Sequence, residues 1–431
     1  MDFDKLTDNH SSTPVPETES VGALAVATVL IGVSITLPAF LLGVEILSSL
    51  GAVKGAMALL GSAAVLTLFG AITITVGARQ RLSTYAIIDR TFGYRGALLV
   101  NAILTTSLFG WFGVTAMLFG RASSAAFQHA LGVTIAEWTY TLAGGLLMII
   151  TTIFGFRAIQ HLSRIVVPLL AILMLTGVWV TVKGTPWSEL IQANEASSGQ
   201  LGTVAGAISV LIGAYMIGVV TAPDLSRFLK AESSAFMASF LGYGFGAALI
   251  LYMAGLPALA TGSDDLIENM ISIGLGIPAL IIVVFATWTT NVNNLYSASL
   301  GLANLLPPMK DWVVTLCAGI AGISLALIGI LDHFVGFLIL LSVAIPPIAG
   351  VYVAGSFLSG KNSIGNRPKA LNVPALMSWV IGTLIAYTAQ QEFIALSTVP
   401  AVDAFVAALL TYFLLSFLKV QKDHTNANSK L

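Results

Sequence analysis

Long apolar runs alternate with short polar ones along this chain, and the apolar runs are of helix length. Twelve are read as spans, at roughly 22–49, 53–78, 97–127, 139–157, 162–182, 201–222, 234–260, 273–306, 312–331, 334–359, 373–390 and 398–418. About twenty apolar residues suffice for a helix to cross a hydrocarbon core, and the ten-residue alternation of a membrane β-barrel does not occur. The pattern therefore predicts an all-α integral membrane protein whose single domain covers 21–418. The polar ends, 1–20 and 419–431, read as tails, the first rich in Ser, Thr, Glu and Pro and expected to be disordered. It lacks the basic start and cleavage site of a signal peptide.

Three spans depart from plain hydrophobicity. In the first, Ser34-Ile35-Thr36-Leu37-Pro38 lies between Gly32 and Gly43. In the sixth, Gly213 and Gly218 precede Thr221-Ala222-Pro223-Asp224. Gly and Pro interruptions at matching places in two halves point to unwound helices that expose carbonyls to a ligand. In the eighth, six of the eight residues Thr287-Trp288-Thr289-Thr290-Asn291-Val292-Asn293-Asn294 carry hydroxyls or amides. Thr287, Asn291 and Asn294 fall on one helical face, with Thr290 and Ser297 adjoining. Such a density in hydrocarbon exceeds what helix-to-helix hydrogen bonding needs and predicts a buried site.

Composition agrees with this class. Hydrophobic residues form 57% and charged residues 9% of 431, with a mean hydropathy of +0.92. Soluble domains carry about 25% charged residues. With the N-terminus placed inside, all but three (Lys54, Arg121, Lys183) of the nineteen Lys and Arg fall on the cytoplasmic side. That asymmetry predicts cytoplasmic N- and C-termini in an inner membrane. One cysteine (Cys317) and five scattered histidines offer neither a disulfide nor a metal-ligand pattern. An enzyme would need clustered acids, bases or a nucleophile within the spans, and none occurs. A channel could use rings of hydroxyls and carbonyls, but paired broken helices favour a carrier.

The halves keep register. Spans one and six begin about 179 residues apart, and Trp111 and Trp288 are 177 apart. This predicts repeats at 22–182 and 201–359 with two extra helices at 373–418.

Five segments in order resemble the nucleobase:cation symporter-1 family, and most closely its cytosine permease branch. They are Asp89-Arg90-Thr91-Phe92-Gly93-Tyr94-Arg95-Gly96, Gly110-Trp111-Phe112-Gly113-Val114, Asp224-Leu225-Ser226-Arg227-Phe228, Trp288-Thr289-Thr290-Asn291 with Leu295-Tyr296, and Ala344-Ile345-Pro346-Pro347 with Gly350. The resemblance implies a LeuT-type fold, two inverted five-helix repeats in which a bundle (spans 1, 2, 6, 7) rocks against a scaffold (spans 3, 4, 8, 9). It implies import of a planar heterocycle, without organic cofactor, nucleic acid or obligate protein partner. By position it places a Na⁺ site at the carbonyls of Gly32, Ile35 and Ala286 with the hydroxyls of Thr289 and Thr290. Neutral oxygens from an unwound helix suit a desolvated Na⁺. Proton coupling would need an intramembrane carboxylate, and the candidates, Glu45 and Asp403, lie near the outer ends of their spans.

For the substrate, the resemblance makes Trp111 the stacking residue. Tyr215 faces it, Asn291 reads the ring's donors and acceptors, and Asn294 is a second reader. A flat ring between two aromatics gains dispersion and stacking energy. The chain departs from the cytosine branch at Leu108, Ala214, Ile217 and Val292, each removing a possible hydrogen bond. Uracil, purines, allantoin, hydantoins, thiamine-precursor pyrimidines and, within the same fold, an amino acid therefore stand beside cytosine. Span ten, with Gly336, Ser342, Pro346 and Pro347, is expected to flex as a gate.

Overall fold

A computed structural model describes residues 9–11, 13–132, 134–192, 202–262, 274, 276–306, 309–329, 343–359, 370–391, 396–397 and 399–428. Seven of its helices are long and apolar enough to cross a membrane by themselves, and shorter apolar helices accompany them.

Each expected span has a helical counterpart. Span one is split into Ala23–Ser34 and the first part of Leu37–Gln80, whose remainder is span two. No loop separates spans one and two. The chain turns a corner at Gly51 (φ 74°, ψ 174°), a backbone region open to glycine and closed to residues with a Cβ. Spans three, four and five are Tyr94–Leu131, Glu137–Ile153 and Gly155–Gly184. Span six is Val204–Val220. Span seven runs from Ala235–Ser239 through a π-helical turn at Phe240–Gly246 into Ala247–Thr261. Gly276–Leu305, Asp311–Ile328, Pro346–Ser359, Val373–Gln390 and Pro400–Asn428 are spans eight to twelve. The last continues through most of the expected C-terminal tail. Gly336 and Ser342 of the expected gate lie outside the described residues.

Spans three and eight pack together most extensively, while span seven lies along spans one and two. Gly43 and Gly255 set that second approach. A Cβ on either would stand 2.4 Å from a backbone oxygen of the facing helix, so the helices touch backbone to backbone. Spans eleven and twelve pack on span ten.

The N-terminal segment corrects the expectation of a disordered tail. Its described part, from Asn9, is a strap tied to distant elements. The Val15 amide donates to the Arg81 carbonyl (2.9 Å), and Arg81 Nε donates back to the Val15 carbonyl (2.8 Å). The Asn9 amide and the Ser11 hydroxyl both donate to the Asp311 carboxylate. Val21 pairs with Phe228 and Lys230 in a short parallel bridge. Polar composition suggested a solvated segment, but its backbone groups find fixed partners here.

Candidate functional site

A cavity of about 820 Å³ lies among spans one, three, six and eight, with Ile345, Gln390, Pro400 and Ala401 closing one side. Four helical stripes face it. Leu108, Trp111, Thr115 and Leu118 recur at three- and four-residue steps on span three. Ala214, Tyr215, Ile217 and Gly218 come from span six, and Thr36, Pro38, Leu41 and Glu45 from span one. Thr290, Asn293, Asn294 and Ser297 come from span eight.

The break in span one follows from Pro38. Helical continuation would have residue 38 donate to the Ser34 carbonyl, and proline has no N–H to give. Ile35 (φ −84°, ψ 85°) and Thr36 (φ −131°, ψ 153°) leave the helical region, and the helix restarts at Leu37. The Tyr215 hydroxyl takes over the Ser34 carbonyl at 3.2 Å. The Thr290 hydroxyl lies 3.2 Å from the Gly32 carbonyl, 3.3 Å from that of Val33 and 3.1 Å from that of Ile35. One hydroxyl proton cannot serve three carbonyls, so oxygens outnumber donors at this point. Such a surplus of neutral oxygens is what a small hard cation requires. One residue earlier on span eight, the Thr289 hydroxyl donates to the Ala286 carbonyl at 2.9 Å. Gly32, Ile35 and Thr290 thus meet directly, with Ala286 and Thr289 joined beside them. Among the described residues no cluster of His, Cys, Asp or Glu could hold a metal.

Of the expected substrate residues, Leu108, Trp111, Ala214, Tyr215, Ile217 and Asn294 all line the cavity. Asn291 does not. It is fully buried, and its Nδ2 donates to the Phe112 carbonyl (3.0 Å) and the Met148 sulfur (3.4 Å). Its Oδ1 accepts from Asn294 Nδ2 at 3.3 Å, so it braces Asn294 from behind. Val292, named among the departures that face the ring, is likewise buried away from the cavity and meets Thr152 of span four. Both corrections have one cause. The stripe facing the cavity is 290, 293, 294 and 297, rotated by roughly 75° from the stripe 287, 291 and 294, at 3.6 residues per turn. Trp288, 177 residues beyond Trp111, faces span four, where its Nε1 donates to the Thr151 hydroxyl at 3.1 Å.

The two intramembrane carboxylates also separate. Glu45 lines the cavity, with the Ser49 hydroxyl donating to it at 3.0 Å. Asp403 caps the chain before span twelve, accepting from the Leu396 and Ser397 amides at 3.0 Å each.

Below Thr221 and Leu225, at the strap end of the cavity, lies a polar cluster that sequence reasoning missed. Arg227 is fully buried. Its guanidinium donates to the carbonyls of Asp224 (3.1 Å), His10 (2.8 Å) and Asn9 (2.7 Å) and to the Tyr296 hydroxyl (2.6 Å). Asp224, also fully buried, accepts from the Thr84 amide at 2.7 Å. Burial pushes its carboxyl upward, against the opposing pull of Arg227 and Thr84. Arg227 therefore joins the end of span six, the strap and span eight. The Asp-Leu-Ser-Arg-Phe segment was the available signal, but nothing in it names partners more than 200 residues away.

A broken first helix against span eight, beside a cavity shared by two packed groups of helices, defines a LeuT-type membrane transporter rather than an enzyme. Residues 14–415 match the family model described as permease for cytosine/purines, uracil, thiamine, allantoin, and the chain belongs to that family. It is 27% identical over 429 residues to the cytosine permease of Escherichia coli (strain K12), covering 98% of both chains. It is 22% identical over 386 residues to the hydantoin permease of Microbacterium maritypicum, covering 83% of this chain and 77% of that one. Among solved structures, the nucleobase-cation-symport-1 family transporter Mhp1, closed with bromovinylhydantoin bound, superposes with a TM-score of 0.83 at 18% identity over 96% of each chain. A Na⁺-coupled sialic acid symporter superposes at 0.68 with 15% identity, covering 96% of this chain and 93% of that one.

Proposed function

We propose that this chain imports a nucleobase or related planar heterocycle, cytosine-like in the first instance, by symport with Na⁺ through alternating access. The observation that carries the reading is the junction at Thr290. There a cavity wall facing Trp111 and Tyr215 is also the place where three carbonyls of the broken first span converge on one hydroxyl. The printed names of the relatives support a heterocyclic substrate, and the sialic acid symporter is a Na⁺-coupled protein of the same fold.

Trp111 and Tyr215 stack on the two faces of the ring, and Asn294, braced by Asn291, reads its edge. The carbonyls of Gly32, Ile35 and Ala286 and the hydroxyls of Thr289 and Thr290 would hold the ion. Its charge, when bound, favours the arrangement in which span one is drawn against span eight. The strap end faces the cytoplasm of an inner membrane, in line with the distribution of Lys and Arg. Closure of that end by Arg227 and the strap keeps the cavity from opening to both sides at once.

Proton coupling is the second reading, and one observation favours it: the Glu45 carboxylate lies in the cavity wall. Uptake into a transport-deficient host decides between the two. The panel is labelled cytosine, uracil, adenine, hypoxanthine, allantoin and hydantoin, each in Na⁺ and in K⁺ medium. Sodium-dependent uptake of one ring, lost in Trp111→Ala, is the expected result. Uptake indifferent to Na⁺ but abolished by Glu45→Gln moves the coupling to protons. Undiminished uptake by Trp111→Ala sinks the stacking site.

A further inference from the structure

Asn293 stands in the cavity wall one turn beyond Thr289 and Thr290 and is 5% exposed. Its side-chain Nδ2 donates to the Thr289 carbonyl at 2.7 Å. A carbonyl only accepts, so this contact decides which end of the amide points back along the helix. The other end, Oδ1, is buried and has no hydrogen-bond partner among the described residues. Natural proteins leave few such atoms unpaired, because each forfeits a desolvation penalty. In a cavity wall, a ligand that brings a donor removes that penalty.

Neighbouring groups on span eight do not supply the donor. The Thr290 hydroxyl is turned to the first-span carbonyls, and the Asn294 amide nitrogen donates to Asn291. At Asn293 this wall therefore presents an acceptor to whatever enters. A site built to accept N–H groups rejects analogues that lack them far more strongly than it rejects a change of size.

We propose that Asn293 couples the substrate to the cation. Its Oδ1 accepts an N–H of the bound ring, while its Nδ2 holds the carbonyl of Thr289, whose hydroxyl belongs to the cation cradle. The inference rests on the sodium-coupled reading above. It narrows the substrate to rings with a lactam, amidine or amino N–H on the edge facing span eight, and it excludes rings whose nitrogens are all alkylated. The amide is a rigid plane, so a donor that fixes Oδ1 also fixes Nδ2 and the Thr289 carbonyl. Substrate and Na⁺ then raise each other's affinity by one shared factor.

The test is Na⁺ titration of the purified full-length protein, read by tryptophan fluorescence, alone and with cytosine, hydantoin, uracil or 1,3-dimethyluracil. In the wild type a ring bearing N–H should lower the Na⁺ half-saturation concentration by about tenfold, within the usual range of coupling factors. Dimethyluracil should leave it unchanged. In Asn293→Ala the factor should fall toward one. An unchanged factor in Asn293→Ala overturns the inference and leaves the sodium-coupled reading intact. If no ring alters Na⁺ binding in the wild type, the sodium-coupled reading falls first and this one with it. Should Asn293→Ala fail to fold, the comparison of uracil with dimethyluracil on the wild type still decides: equal coupling by both overturns the N–H requirement.

Discussion

In the first span Pro38 cannot donate to the Ser34 carbonyl, and in the sixth Pro223 cannot donate to that of Val219. The two breaks resolve differently. At the sixth, the Val219 carbonyl accepts a tightened bond from the Ala222 amide at 3.3 Å. The Tyr243 hydroxyl takes the Gly218 carbonyl at 2.7 Å, and the Tyr352 hydroxyl takes that of Val220 at 2.9 Å. Arg227 then closes the region below. At the first break, Tyr215 takes one carbonyl and three others share a single threonine hydroxyl. Buried acceptors are costly when unpaired. The sixth-span break is satisfied by the protein itself and reads as a structural joint. The first leaves a surplus of oxygen that no donor among the described residues satisfies.

The largest expected effect lies at the sixth-span break. Arg227→Gln removes a fully buried charge whose partners are strap carbonyls, a tyrosine hydroxyl and the region of Asp224. Breaking such a buried network by removing one member costs roughly 3–5 kcal/mol. The expected outcome is a marked fall in the thermal midpoint of the purified protein, with little change after further deletion of the strap up to His10. If Arg227→Gln were as stable as wild type, the closure would be an incidental contact and the comparison would lose its second term.

Next come two substitutions that should part company. Thr290→Ala should raise the Na⁺ half-saturation concentration by about tenfold or more, since a lost buried hydrogen-bonding group costs about 1–3 kcal/mol. Its midpoint without Na⁺ should fall less than that of Tyr243→Phe, because its hydroxyl proton serves only one of three carbonyls at a time. Tyr243→Phe should do the reverse. It leaves the Gly218 carbonyl short of its main donor, lowering stability by about 1–2 kcal/mol with Na⁺ binding unchanged. Equal effects of both variants on Na⁺ binding would erase the distinction between joint and site.

The spans and both breaks were legible in the sequence because proline, glycine and apolar length act locally. So was the density of polar groups on span eight. The phase of that helix was not. Whether Asn291 or Asn293 faces the cavity depends on how span eight is rotated against spans three and four, where Phe112 and Met148 hold Asn291. The strap was illegible for a related reason. Ser, Thr, Glu and Pro spell disorder when read alone, and order here comes from Arg81, Arg227 and Asp311, far along the chain. Leu108, Ala214 and Ile217 lie in the cavity wall beside Trp111 and Tyr215, their neighbours on the same helices.

The smallest expected effect concerns a half-buried carboxyl without the counter-charge that Arg227 gives Asp224. Asp89, in the short helix Thr84–Phe92 between spans two and three, accepts from Asn304 at 2.7 Å and from Asn101 at 3.3 Å. Burial pushes its pKa up to about 6, with the two amides pulling the other way. An acid with a raised pKa binds more protons in the folded protein than in the unfolded one between the two pKa values. Stability therefore falls as pH rises from near 4 through about 6 and levels off above. Between pH 7 and pH 5 the gain on acidification should be about 1 kcal/mol, one pKa unit being worth 1.36 kcal/mol. Asp89→Asn should remove that slope while keeping the thermal midpoint at pH 5 near the wild-type value. Burial pushes the Asp224 carboxyl the same way, against Arg227 and the Thr84 amide, so any slope that remains in Asp89→Asn is its share. A wild-type midpoint that does not fall from pH 5 to 7 would show that Asp89 keeps an ordinary carboxylate affinity for protons, and a slope undiminished in Asp89→Asn would assign the titration to Asp224 instead. The two carboxyls of this end of the molecule would then have exchanged roles.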